Sequence, residues 1–228
     1  MKKLFAFLCI ALAFSTADAQ RKRARPAATP VPSAVPAKPS VDKGTVTGRT
    51  YTNTAFRFQV TFPDLWLIPG DDFEAYMKKQ GIDLTLKAPD SLAPASRSKI
   101  NRALQQVTVL LTAYRSMPGT TDNAIARISV EDLSTNPQIK DAVDYFDAMR
   151  ATFASMRLPI DFKYSETQAE KLGSQQFGYL DTSTKDGKKR MYATVRNGFA
   201  VMFTLTYKSS GDLKAFRDML ADGNFAVR

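Results

Sequence analysis

Three strand-like runs, Gln175 to Thr182, Lys189 to Arg196 and Phe199 to Tyr207, follow one another with only Asp186-Gly187 and Asn197-Gly198 as punctuation. Those dipeptides are the residues that tight hairpin turns demand, because they tolerate left-handed backbone. Successive hairpins make an antiparallel sheet, since a parallel pair needs a crossover of a dozen or more residues. This stretch therefore excludes a βαβ architecture for the C-terminal half. Two more runs, Val107 to Tyr114 and Ala124 to Glu131, flank the turn-rich SMPGTTDN and read as a further hairpin. Upstream, Phe56, Phe58, Val60 and Phe62 alternate with Arg57, Gln59 and Thr61. Period two puts the four apolar side chains on one face of a strand, and Pro63, which has no N–H to donate, ends it.

Helical periodicity appears between these runs. From 138 to about 155, Ile139, Val143, Phe146, Met149 and Phe153 recur at steps of three and four and form one apolar stripe. Asn136 is suited to cap this helix, with Pro137 at its first position. A closing helix over 211–221 presents Leu213, Phe216 and Leu220 and stops near Gly223. Asp71 to Gln80 and Ser96 to Gln106 are shorter candidates. Hairpins with helices inserted between them predict an α+β fold: a central antiparallel sheet of about six strands flanked by helices, an α/β/α sandwich.

The N-terminal part has a different composition. MKKLFAFLCIALAFSTADA has a basic start, an apolar run from Leu4 to Phe14 and a small-x-small step, the pattern of a secretory signal cut between Ala19 and Gln20. The run is shorter than the ~20 residues a membrane span requires, so the mature chain is not expected to be an integral membrane protein. Residues 20–43 hold six basic residues, one acid and prolines at 26, 30, 32, 36 and 39. Such a segment cannot bury a core and is expected to be an extended linker. The division expected is a signal peptide over 1–19, the linker over 20–43 and one folded domain over 46–228, with a secreted or periplasmic location in a bacterium.

The single cysteine, Cys9, lies inside the signal-like run, and the chain has no histidine. A mature chain without either residue has no disulfide, Cys/His zinc site, thiol nucleophile or Ser-His-Asp triad. No glycine-rich phosphate loop or dinucleotide fingerprint occurs, so no cofactor is expected. An enzyme built from this sequence would work with Lys, Tyr, Ser, Thr and carboxylates alone.

The order of aromatic and proline landmarks resembles the entry of PsbP-like proteins, the extrinsic photosystem II subunits and their exported bacterial relatives. Tyr51-x-Asn53 is followed by Phe56-x-Phe58, Pro63 and Trp66, and then by a hairpin, a long helix, Leu172-Gly173, three antiparallel strands and a closing helix. The resemblance covers most of 46–228 and lies in order and spacing. It implies a central antiparallel sheet with helices on both faces, and docking or assembly roles in preference to catalysis. Fold alone does not settle activity.

Several motifs have plain structural readings beside their functional ones. Trp66 reads as packing at the end of the Phe-rich strand. Ser96-x-x-Lys99 with Thr121-Asp122-Asn123 has the outline of a penicillin-recognising site but lacks its third motif. Asp141, Asp144 and Asp147 fall opposite the apolar stripe, as a solvated face would. Two basic clusters, Arg21, Lys22, Arg23 and Arg25 in the linker and Lys188, Lys189 and Arg190 near a hairpin tip, are the candidate surface contacts. An anionic envelope surface suits them better than nucleic acid, because no basic platform studded with aromatics accompanies them. The expected function is an exported, non-catalytic binding or assembly module whose partner is an envelope protein or an anionic envelope surface. The alternative is an envelope enzyme or small-ligand-binding protein with a cleft between sheet and helices.

Overall fold

The structure, a computed structural model, describes residues 41–88 and 92–226. Its first elements are three short strands, β1 (Thr45–Thr47), β2 (Thr50–Asn53) and β3 (Phe58–Thr61), paired antiparallel in that order. Two helices follow, α1 (Phe73–Lys79) and α2 (Pro94–Leu104). Then come β4 (Val107–Tyr114), β5 (Ile125–Asp132), α3 (Ala142–Ala154), β6 (Lys163–Tyr164) and β7 (Gln168–Leu172). The chain closes with β8 (Gln175–Thr184), β9 (Gly187–Arg196), β10 (Phe199–Tyr207) and α4 (Ser210–Ala221).

Seven strands form the central sheet in the order β4-β5-β10-β9-β8-β6, with β7 also paired to β8. All of its pairs are antiparallel. The expected α+β class and antiparallel central sheet are therefore present. The strand of Phe56 to Phe62 does not join that sheet but belongs to the separate three-stranded one. A strand with one apolar face needs only something to cover that face, and it lies over the sheet instead of lengthening it. Phe58 meets Phe203 of β10 edge-on, with centroids 5.1 Å apart.

Alternation along β8, β9 and β10 sends side chains to two cores. Phe177, Tyr192, Val201, Phe203 and Leu205 pack with Phe58, Val60, Phe216 and Phe225, beneath the small sheet and α4. Leu180, Met191, Ala193, Ala200 and Met202 pack on the opposite face with Ile100, Phe146, Met149 and Phe153 of α2 and α3. Each fully buried side chain of this size stabilises the fold by roughly 1.5–3 kcal/mol. The molecule thus has three layers.

Helix α3 starts later than its sequence periodicity predicts. Asp141, not Asn136, is the N-cap, its carboxylate accepting from Val143 N and Asp144 N at 2.8 and 2.9 Å. Residues 136–139 form turns instead, and Ile139 N donates to Asn136 O. The buried stripe is Ala142, Tyr145, Phe146, Met149, Thr152 and Phe153, while Val143 is exposed. Ala142 meets β8 so closely that a Cβ on Gly178 would lie 2.8 Å from its own Cβ. Asn197 and Gly198 take the left-handed conformation between the paired Arg196 and Phe199, as their sequence predicts.

Candidate functional site

The outer edge of β4 is where the fold leaves backbone and side-chain groups available. β4 is the first strand of the central sheet and has β5 as its only full neighbour. Leu67 N donates to Tyr114 O at 2.7 Å and Tyr114 N to Leu67 O at 2.9 Å. Tyr114 therefore points its backbone groups away from β5, and by alternation so does Thr112, two residues earlier. An antiparallel continuation from Leu67 would bring Pro69 opposite Thr112. Proline has no N–H to give to the Thr112 carbonyl, and the chain turns through Gly70 toward α1. The ladder stops after one bridge.

A cleft of about 700 Å³ runs beside this edge. Phe73 and Glu74 of α1 and Leu84 and Leu86 of the extended segment 82–88 form one wall, and Val109, Thr112, Tyr114 and Arg127 form the other. Within 82–88 the odd-numbered Asp83, Thr85 and Lys87 face solvent, and the even-numbered residues turn inward. That is the alternation of a strand, yet no backbone ladder joins it to β4. Lys43 and Tyr51 lie at the other end.

Arg127 carries the positive charge of the cleft. It sits on β5 opposite Thr112 and donates from Nε to Thr112 Oγ1 at 3.3 Å. Among the described residues its two terminal nitrogens have no ion-pair or hydrogen-bond partner, and neither has the carboxylate of Glu74. Burial raises the Tyr114 phenol above its ordinary value; Arg127 works against that shift and Glu74 adds to it. Tyr51 is pushed up to about 12, chiefly by burial and against the hydrogen bond it shares with Asn53. Both phenols stay protonated at neutral pH and are not bases; the Tyr51 hydroxyl already donates to Lys43 O at 2.6 Å.

A second polar cluster lies on the α4 side of β7, β8 and β9. Arg190 donates from Nε to Asp181 Oδ1 at 2.7 Å and from a terminal nitrogen to Oδ2 at 2.5 Å. Its guanidinium also covers the Tyr179 ring at 4.3 Å. Tyr192 donates to Glu170 at 2.6 Å, and Arg217 pairs with the same carboxylate. Every member has a partner, so the cluster is an internal brace.

Burial acts to raise the Glu170 carboxyl, but the hydrogen bonds from Tyr192 and Arg217 outweigh it and leave the group below its usual 4.5. A depressed carboxyl contributes stability above its unfolded value and loses it as pH falls through the folded one. Glu170→Gln should therefore lose less stability than wild type when the urea midpoint is compared at pH 7 and pH 3. Equal losses in the two proteins would show that Glu170 has no share in the acid limb.

The basic run at the hairpin is not one surface. Adjacent residues of a strand face opposite ways, and Lys189 is 1 % exposed on the side away from Lys188. Arg190 is held by Asp181. Of Lys188, Lys189 and Arg190, only Lys188 lies at the surface as expected, which corrects the reading of this cluster as a contact patch. Arg21, Lys22, Arg23, Arg25 and the Ala19–Gln20 junction fall outside the described residues. Lys99 donates to Ser155 Oγ at 2.9 Å, while the Ser96 hydroxyl points at Arg157 O, so the two do not form a nucleophile and base. Asp122 pairs with Arg115, and Asn123 accepts from Ser116 N. Asp141 and Asp144 serve the start of α3, and Asp147 binds Thr167 and Arg150. Trp66 is buried against Phe62. Among the described residues no group of three or more carboxylates is placed to hold a metal ion, and no helix is long and apolar enough to cross a membrane.

Sequence reading did not single out Arg127, Glu74 or Tyr114. The available signal was Arg127 itself, a charge at the inner position of the apolar run AIARISV.

No protein-family profile matches the chain, and no curated protein matches it. Two solved structures are similar. The solution structure of cyanobacterial PsbP (CyanoP) from Synechocystis sp. PCC 6803 shares 16% identity at a TM-score of 0.39, over 78% of this chain and 95% of that one. A crystal structure from Bacteroides thetaiotaomicron VPI-5482 shares 14% identity at a TM-score of 0.37, over 78% of this chain. The chain spans about half of the Bacteroides protein, 48% of its length. The first of these two bears the name of the family that the sequence resembles.

Proposed function

We propose that the chain is an exported, non-catalytic binding module of the cell envelope, and that its folded domain makes the specific contact through the cleft beside β4. The observation that carries this reading is the cleft's own chemistry. An unfinished sheet edge, apolar walls and a guanidinium whose two terminal nitrogens have no partner among the described residues lie together, and the phenols beside them are protonated. These are the elements of recognition: apolar area for affinity and a few placed polar groups for orientation.

The basic linker has the subordinate role of holding the domain near an anionic surface. Each Lys or Arg close to such a surface contributes at most about 1 kcal/mol, and the attraction fades as the Debye length shrinks to ~3 Å at 1 M salt. The five basic residues from Arg21 to Lys38 give reversible adhesion, while Lys43 lies at the cleft. They give no selectivity. The test is photo-crosslinking in the envelope from a position in the cleft, compared with positions in the linker and on the far face. A discrete adduct from the cleft alone supports the reading, and its absence there removes it.

A further inference from the structure

Two features of the cleft specify what would fill it. The first is the outward backbone of β4 between Val107 and Thr112, where the chain's own continuation is stopped by Pro69. Only an extended backbone satisfies a row of N–H and C=O groups on a sheet edge. The second is a pair of opposite charges, Arg127 and Glu74, that face the same cleft without forming an ion pair with each other. Arg127 is partly buried and oriented by Thr112 Oγ1, so its terminal nitrogens are a fixed donor fork suited to a carboxylate. The cleft volume of about 700 Å³ exceeds what a single amino acid fills and matches a ligand of a few residues.

We propose that the cleft binds a short peptide in extended conformation, added parallel to β4 along Val107 to Thr112, with its free C-terminal carboxylate on Arg127 beside Thr112. The walls fit that geometry. Side chains of an added strand alternate between the apolar pair Leu84 and Leu86 on one side and solvent on the other. The register bulge of β4 between Val109 and Leu111 limits the regular ladder to a short stretch, which favours a short ligand. This assignment rests on the binding-module reading and names the ligand class of the same site.

The test uses the full chain, labelled with ¹⁵N, and tetra-alanine with both termini free as the probe. Saturable shifts at the amides of Thr112, Tyr114 and Arg127 are expected. Amidating the peptide's C-terminus should weaken binding about tenfold, the worth of one charge-assisted hydrogen-bonded pair. Methylating a central peptide nitrogen should weaken it at least as much. Arg127→Gln should bind the free and the amidated peptide equally. The comparison of peptides in wild type keeps the test decisive if that variant fails to fold.

Absence of shifts at these amides at millimolar peptide overturns the proposal. Equal binding of the N-methylated peptide overturns strand addition and leaves a small-carboxylate site. Concentration-dependent broadening of the same amides without peptide identifies a second copy of the chain as the occupant, which also overturns it. An envelope partner crosslinked at the cleft but undisturbed by saturating peptide overturns this assignment while leaving the binding-module reading in place.

Discussion

Gly173→Ala should cost the domain about 2–5 kcal/mol, whereas Gly198→Ala should cost only about 1–2 kcal/mol. Both glycines are left-handed, with φ of +56° and +77°, and each substitution incurs the roughly 1–2 kcal/mol of placing an L side chain there. What differs is the space. A Cβ on Gly198 meets nothing within 4 Å, while one on Gly173 would lie 2.1 Å from the carbonyl oxygen of Ala221, the last residue of α4. Backbone cannot rotate aside as a side chain does, so the β7–β8 turn and the end of α4 must separate, at a further cost of about 1–3 kcal/mol. Urea midpoints of the two variants measure the difference. Equal midpoints would show that α4 does not clamp this turn.

Arg190→Ala should destabilise by about 2–3 kcal/mol, while Lys188→Ala stays within about 0.5 kcal/mol of wild type. The side chain of Arg190 is 15% exposed and that of Asp181 34%. Removing the guanidinium strands a carboxylate that water reaches only in part, so the cost falls at or below the low end for buried pairs. It also uncovers the Tyr179 ring and takes a donor from the Tyr192 hydroxyl. Lys188 is exposed and carries no comparable network. If retention on anionic vesicles fell with Arg190→Ala while stability did not, Arg190 would be a surface contact after all.

That reversal of Arg190 from contact to brace shows what the sequence can carry. Period-two patterning, proline and Asn-Gly turns act locally, and they placed β4, β5 and the last three strands within a few residues. The helix stripe erred where a cap decides the start: Asn136 and Asp141 are both chemically able to cap, and only tertiary packing makes Asp141 the one that does. The strand of Phe56 to Phe62 was legible as a strand, but not its sheet. Choice of partner is a long-range matter that alternation does not encode. The cleft was invisible for the same reason. Arg127, Glu74 and Leu84 are far apart in sequence and meet because β4 is an edge and Pro69 ends its ladder. Lys189 was misplaced by reading three adjacent cations as one patch, although strand alternation forbids it.

The measurement that bears most directly on the functional account is crosslinking with a photo-reactive residue at Leu84 in the cleft wall, at Tyr179 on the α4 face, or at Val31 in the basic linker. It is carried out in intact envelopes at low and at high salt. A discrete adduct from Leu84 that persists in high salt, with only diffuse, salt-sensitive labelling from Val31 and none from Tyr179, is the result predicted. A discrete, salt-resistant adduct from Tyr179 or Val31, with Leu84 silent, would contradict it.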